Sequence, residues 1–368
     1  MKKYICFESD DWGSYRLPLP PKRQTIYQLP IQLDEPGVEF FNAFDAIESP
    51  DDVEALTNTL LEIGRKHSIE LRQQPKFTFL HATRNPNFEK IKASNFQDYY
   101  SEGIEDSYLK TWGKSSLIST KKAIAENVIR AEFHCREHLN VPYWMNQLKK
   151  GDFETLLAAE NEFWSFINKN ANQVYYQASF HLDNAKDIQQ YQEIISNGLD
   201  DFKNLFDYSS IYFVAPNAPY SNQLLPILKS KGVKLICGGR LQIEPMGSGK
   251  NRKVYRIPGV KWLDGFYYVK RNAFFEPADK SMDWVDLCLK QISTAFSKDQ
   301  PAVISSHRVN YVSGGSLQNR DHGLRELKKL IHSIYKNWPE VEFITSNQLL
   351  EFYKREPKSL SYYWGCIS

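Results

Sequence analysis

The segment Tyr4-Ile5-Cys6-Phe7-Glu8-Ser9-Asp10-Asp11-Trp12-Gly13 sets the reading of the whole chain. A short apolar run, Tyr4 to Phe7, leads almost at once into two adjacent carboxylates. The same arrangement recurs twice, far downstream. Ile129, Ala131 and Phe133 lead into His134-Cys135-Arg136-Glu137-His138, and Ala302-Val303-Ile304 leads into Ser305-Ser306-His307-Arg308. Polar residues just past short apolar strands are what the C-terminal face of a parallel barrel presents to a substrate. Pooled, the three clusters supply three metal ligands, a base and an acid, which points to a metal-dependent hydrolase.

The rest of the chain alternates strand and helix. Strands are expected at Lys76–Leu80, Ile211–Ala215, Val233–Cys237, Gly265–Val269, Ala302–Ser306 and Val341–Ile344. Helices are expected from Ser49-Pro50-Asp51, with Ser49 as cap and Val53, Leu56, Leu60, Leu61 and Ile63 on the buried face. Others are expected from Tyr143, across Thr155–Ile167, and over Asp187–Leu205, Leu224–Lys231, Asp283–Phe296, Leu324–Lys336 and Asn347–Lys354. Strand cores are continuous rather than alternating, the mark of parallel sheet covered by helices. The fold class expected is α/β, a distorted (β/α)7-8 barrel of the TIM type, with insertions over its C-terminal face. One domain spans residues 1–368, with excursions at about 88–120 and at 240–258, the latter a hairpin around Gly247-Ser248-Gly249. The first excursion reads as polar and weakly periodic, ending in a helix around Lys121–Asn127.

Composition removes several alternatives. Net charge is +2 and Lys/Arg fall only in scattered doublets, so no basic stripe for nucleic acid is present. The five cysteines, Cys6, Cys135, Cys237, Cys288 and Cys366, form no C-x2-C pair, which argues against a disulfide framework or a zinc ribbon. Lys2-Lys3 is followed by too short an apolar run for a signal segment, and no run reaches membrane-spanning length, so a cytoplasmic protein is expected. Gly247-Ser248-Gly249-Lys250 fails as a phosphate loop, because Glu244 and Asn251 stand where Gly and Ser/Thr are needed.

The His134-x3-His138 spacing lets two imidazoles share an ion, and with Asp11 as an oxygen ligand the set leaves positions open for water and substrate. In an extended segment Asp10 and Asp11 point to opposite sides, one to the ion and one to the reacting water; an Asx-turn is the plainer reading of such a pair. Glu137 makes the segment also match H-x-x-E-H, the inverted zinc-protease motif, which requires a helix. The alternation of Ile129, Ala131 and Phe133 favours strand then loop. His307 is placed as a general acid, and His81, at another strand end, is a spare ligand. Trp12, Trp144, Tyr220 and Trp262 are candidates for stacking on sugar faces, though aromatics are more often core.

On these residues the chain resembles the polysaccharide deacetylase superfamily of carbohydrate esterases. Asp10-Asp11 match its paired-Asp motif, His134-x3-His138 its H-x3-H motif, and His307 its single late His. The resemblance implies a distorted barrel, a divalent metal (most often Zn2+), and removal of an acyl group, N-acetyl foremost, from a sugar or glycan precursor. It implies Asp11, His134 and His138 as metal ligands, Asp10 as base and His307 as acid. Trp12, Arg16, Tyr220, Arg271, Asn272 and Arg308 are the substrate-binding candidates. Three departures stand out. Trp12 separates Asp11 from Gly13; Asn217-Ala218-Pro219-Tyr220 lacks the family's Arg; and Asp283-Trp284 opens a helix. The missing Arg ordinarily holds the base carboxylate, so Arg271 or Arg16 must stand in. The alternatives are a protease using Glu137, a metal-free glycosidase, and a sugar-binding protein without turnover.

Overall fold

The computed structural model describes residues 2–67, 70–167 and 174–355. Its main sheet has nine strands: β1 Tyr4–Trp12, β2 Phe77–Ala82, β3 Ile129–Cys135, β4 Tyr212–Phe213, β5 Leu235–Cys237, β6 Tyr267–Val269, β7 Ala273–Phe274, β8 Ala302–His307 and β9 Glu342–Ile344. Every pairing in this sheet is parallel, in the order β6-β5-β4-β3-β2-β1-β8-β7, with β9 against the start of β1. The two outermost strands, β6 and β7, are consecutive in the chain and separated only by Lys270-Arg271-Asn272. So short a link reaches about 14 Å at most, so the sheet must curl until its edges nearly meet. The result is a distorted barrel whose seam is crossed by those three residues.

Burial follows the continuous apolar pattern. All eight residues of β1 beyond Tyr4 are buried, as are all six of β2. Phe7 stacks on Phe77 with rings 4.8 Å apart, and this layer continues into Phe343. The helix Pro50–His67 begins where the cap chemistry places it. Ser49 Oγ accepts from Asp52 N at 3.2 Å while Asp52 accepts from Ser49 N at 3.0 Å, a reciprocal capping box with Pro in the first turn.

The excursion at 88–120 is more ordered than its sequence suggests. It holds helices Phe88–Ala93, Ile104–Trp112 and the first half of Ser116–Ala125, and its segment Ser101–Gly103 pairs with Arg84–Pro86 as a small antiparallel ribbon. These helices are too short to show a period, and their ends are set by caps: Asn87 accepts from Lys90 N, and Gly113 takes φ 66°. The helix expected across Thr155–Ile167 is instead Phe153–Glu160, capped by Asp152. The 240–258 excursion is a two-stranded hairpin, Leu241–Gly247 with Lys250–Tyr255, turning through positive φ at Gly247, Ser248 and Gly249. Cys6, Cys135 and Cys288 are buried, Cys237 is half-buried and all four are unpaired; Cys366 lies outside the described residues. No helix among the described residues is long and apolar enough to cross a membrane.

Candidate metal and catalytic centre

The first cluster is shaped by a bulge. Ser9 pairs with Phe79 and Trp12 with His81, so β1 carries an extra residue over this stretch of β2. Asp11 absorbs the distortion with φ 78°, a left-handed conformation that costs a non-glycine residue about 1–2 kcal/mol. This overturns the simple alternation of an extended strand. Asp10 and Asp11 both line one cavity of about 860 Å³ instead of facing opposite sides. Gly13 follows at φ 77°; a Cβ there would lie 2.6 Å from the His81 ring and 2.8 Å from Ala82 O. Its amide donates to both Glu48 oxygens, at 3.0 and 3.1 Å.

Asp11, His134 and His138 converge, with one ligand atom from each lying within 4.8 Å of the others. His134 sits in β3, and its Nδ1 donates to Val214 O at 2.7 Å. That bond fixes the tautomer and leaves a lone pair on Nε2, which is buried, unpartnered, and 3.6 Å from Asp11 Oδ1. His138 follows in the loop beyond the strand, its Nε2 2.9 Å from the same oxygen and its ring nearly parallel to Trp164. Burial holds His138 below its ordinary value against the pull of Asp11, which favours the neutral, ligating imidazole. Burial opposes ionisation of Asp11, but His138 and Arg16 outweigh it and the carboxyl lies well below its usual range. Two imidazoles and a carboxylate, with His134 Nε2 and His138 Nδ1 buried and unbonded, fit a divalent cation.

Beside this set stands Asp10, clamped by Arg271. Nη1 meets Oδ2 at 2.7 Å and Nη2 meets Oδ1 at 2.6 Å. The same guanidinium gives Nε to Glu8 Oε2 at 2.7 Å. Glu8 in turn accepts from Ser346 Oγ at 2.7 Å and Tyr212 OH at 3.1 Å. Arg271 lies on the barrel seam, which is why a residue so distant in sequence reaches the end of β1. Burial alone would raise Asp10, yet the Arg271 charge and hydrogen bonds hold it below its ordinary value, so it stays ionised.

On the other side of Asp10, His307 closes β8. Its Nδ1 donates to Glu276 Oε1 at 2.6 Å, and its Nε2 is 3.9 Å from Asp10 Oδ2. Asn310 steadies Glu276 through a 2.7 Å bond to Oε2. Burial works against the imidazolium, but Glu276 more than compensates and lifts His307 to about 9. Glu276 carries no motif signal. The clue available in sequence was only its place two residues past the short strand β7.

The other candidates are placed as follows. Trp12 is fully buried, its ring 3.5 Å from Phe79 and its Nε1 bound to Ser9 Oγ, so no face remains for a sugar. Arg308 is fully buried and bridges Asp45 and Glu48, tying the end of β8 to the loops after β1. Asn272 clamps the seam, giving Nδ2 to Pro301 O and accepting from Val303 N. These three hold structure rather than reach the cavity. Arg271 lines the cavity, but its donors are committed to Asp10, Glu8 and Ser305. Arg16 also lines it, with Nε and Nη1 buried and unbonded and Nη1 3.6 Å from Asp11 Oδ2. Tyr220 is buried in the wall of an adjoining chamber. Trp144 is core, and Trp262 is half-buried against that core. His81 stands outside the ligand set, its Nδ1 bound to Ala82 O.

Glu137 corrects the protease alternative. The segment 136–140 is loop, not helix, and both Glu137 oxygens are held by Arg136 Nε at 2.8 Å. The rings that do open on the cavity are Phe41, Phe166, Tyr175 and Phe274, none marked by a strand-end position in the sequence.

No sequence profile of a known family matches the chain, and no curated protein matches it. Solved structures similar to it include a protein assigned as a polysaccharide deacetylase from Mycobacterium smegmatis, 10% identical, covering 97% of this chain and 91% of that one, at a TM-score of 0.45. A 4-alpha-glucanotransferase from Thermococcus litoralis is 8% identical over 95% of this chain and 40% of its own, at 0.43. A family 4 acetyl xylan esterase from Clostridium thermocellum, solved with a cobalt ion, is 11% identical over 95% and 91%, at 0.36.

Proposed function

We propose that this chain is a divergent member of the polysaccharide deacetylase superfamily, a metal-dependent hydrolase that removes an acyl group, N-acetyl foremost, from a sugar or glycan precursor. One observation carries the reading. An ionised carboxylate, Asp10, and an imidazole lifted to about 9, His307, stand 3.9 Å apart on the wall of a cavity that also holds the Asp11-His134-His138 set. Groups pushed apart in pKa at one site are the signature of a base and an acid working together.

A divalent cation held by Asp11, His134 and His138, with Zn2+ the best match to two imidazoles and a carboxylate, supplies Lewis-acid polarisation of a carbonyl and of water. The chain's own groups do the proton work. Asp10 takes a proton from the attacking water, and Arg271 fixes the orientation of that carboxylate and keeps it ionised, at some cost in basicity. His307 Nε2 gives a proton to the departing amine or alkoxide while Glu276 holds the ring through Nδ1. Phe41, Tyr175 and Phe274 offer aromatic faces for a sugar ring, with Gln177 and Asn217 as polar neighbours.

The test is acetate release from a panel of N- and O-acetylated sugars, with and without a chelator. Turnover that stops on chelation and returns with Zn2+ supports the proposal. Turnover indifferent to chelation points to a glycosidase-type use of carboxylates, and tight sugar binding with no acetate released by the zinc-loaded protein points to a binding protein.

The pH dependence has a definite sign. His307 must be protonated and Asp10 ionised in the free enzyme, so kcat/KM should rise through an acid limb below the ordinary carboxylate value and fall through an alkaline limb near 9. Glu276→Gln removes the charge that lifts His307, so the alkaline limb should move to lower pH. His307→Ala should abolish that limb and slow amides more than activated esters, because a poor amine leaving group needs its proton. An unmoved alkaline limb in both variants would take His307 out of proton transfer.

A further inference from the structure

A second cavity of about 720 Å³ lies beneath the hairpin Leu241–Tyr255 and adjoins the catalytic cavity. The two share Asn217, Ala218, Cys237, Gly238 and Gly239 as walls. At that junction the backbone is strained: Asn217 and Ala218 take φ 54° and 78°, a region non-glycine residues seldom enter. Such strain is kept where a particular loop path matters. Each cavity alone is large enough for a small ligand, since such sites run to about 300–1,000 Å³. Together they exceed the needs of a single acetylated sugar ring.

The chemistry of the second chamber is one-sided. Among the described residues its lining includes no carboxylate, while Arg256 stands in its wall, 4% exposed. The hydrogen bonds of Arg256 go to neutral groups: Nη1 to Gln242 Oε1, and Nη2 to Asn222 Oδ1 at 2.9 Å. Its Nε is buried and unbonded. The neighbouring carboxylate, Asp264, has Oδ2 3.7 Å from that Nε, and the same oxygen already accepts from Tyr268 OH at 2.7 Å. The guanidinium also lies over the Tyr268 ring at 4.4 Å. A buried arginine with an idle donor is costly unless an anion completes it. Around the chamber the hairpin region, residues 240–256, carries Arg240, Lys250, Arg252, Lys253 and Arg256 against one carboxylate, Glu244. Glu244 is buried and bound to Arg252 and Asn222. The approach is therefore electropositive, which favours anionic ligands.

We propose that this second chamber holds an anionic substituent, phosphoryl or carboxylate, of the same substrate whose acyl group lies in the catalytic cavity, and that Arg256 is its anchor. The inference rests on the hydrolase reading and narrows it to an acylated sugar that bears a negative charge. Binding and turnover, measured separately, keep the two ideas distinguishable.

The experiment uses the full chain loaded with zinc. Titration calorimetry compares N-acetylglucosamine, its 1-phosphate and N-acetylglucosaminuronic acid, with acetate release followed on each. At least one anionic sugar should bind roughly 10- to 100-fold more tightly than the neutral one, the range of a charge-assisted hydrogen bond. Which of the two does so assigns phosphoryl or carboxylate. Arg256→Gln should bring the anionic sugar close to the neutral one. Ile243→Trp, at a half-exposed hairpin position lining only this chamber, should do the same by filling space if the arginine variant does not fold. The double variant Lys250→Ala/Lys253→Ala, both exposed, should flatten the salt dependence of binding. Equal binding of neutral and anionic sugars overturns the proposal. So does an anionic preference that survives both chamber variants and vanishes on chelation, since the anion then sits on the metal. Anion binding that depends on Arg256 without acetate release retains the chamber and removes the hydrolase reading. Acetate release indifferent to substrate charge does the reverse.

Discussion

Asp11→Ala, His134→Ala and His138→Ala should each lose bound zinc and acetate-releasing activity together, with kcat/KM falling on the order of 10³-fold or more, since Lewis-acid stabilisation is worth several kcal/mol. The coupling follows from geometry: three ligand atoms within 4.8 Å of one another form the metal-binding cluster found among the described residues, so no neighbour stands ready to replace a lost one. The variants should differ in side effects. His134→Ala also deprives Val214 O of its donor, and Asp11→Ala leaves Arg16 facing only Asp45, 3.8 Å away. Asp11→Asn, which keeps the shape, separates ligand loss from misfolding: it should keep the wild-type circular dichroism spectrum and still lose zinc. Metal content by mass spectrometry after purification without added ions is the readout. Stoichiometric zinc in all three alanine variants would place the ion elsewhere and overturn the proposed function.

Asp10→Asn should retain zinc while kcat falls about 10²- to 10⁴-fold, the usual range for removing a general base. The amide keeps the volume but cannot take a proton. It also leaves Arg271 with one charged partner, Glu8, in place of two, and truncating one side of a buried charge pair costs about 3–5 kcal/mol when nothing else compensates. With Glu8 still in place the loss should be smaller, and a modest drop in melting temperature is expected beside the large kinetic effect. Arg271→Met gives the converse. Burial then acts on Asp10 with only His134 and His307 left to oppose it, so its pKa rises and the acid limb of kcat/KM moves to higher pH. Loss of zinc from Asp10→Asn, with no rate effect beyond that loss, would make Asp10 a ligand rather than a base.

The two ion pairs, Asp10 with Arg271 and His307 with Glu276, are not equally legible in the sequence. Arg271 was one of two residues that the missing motif arginine pointed to, and the fold places it on Asp10 while setting Arg16 beside Asp11. Glu276 carries no signal in the sequence, because a carboxylate past a two-residue strand looks like any loop acid. Arg308 and Trp12 went the other way: both stand beside motif residues, and both are fully buried in structural contacts. Position next to a ligand in sequence says little about side-chain direction when a bulge or a short 3-10 turn follows at once.

What the sequence by itself determined is which residue types stand at the ends of the strands. Continuous apolar runs ending in Asp10-Asp11 and in His307, and the alternating run ending in His134, are local facts, and near-continuous burial of such strands is the mark of a helix-covered parallel sheet. The strand-to-loop reading of His134-x3-His138 was local in the same way. What only the tertiary structure decided is which charges meet. Asp10 and Arg271 are 261 residues apart, and His307 and Glu276 are 31 apart. The first contact depends on the sheet curling until the short link between β6 and β7 crosses its seam, and the second on β7 lying beside β8, both consequences of strand order that no local pattern encodes. The charge states of Asp10 and His307 follow from those contacts, since burial pushes both groups toward neutrality and charged partners brought in by the fold, Arg271 and Glu276 foremost, reverse it.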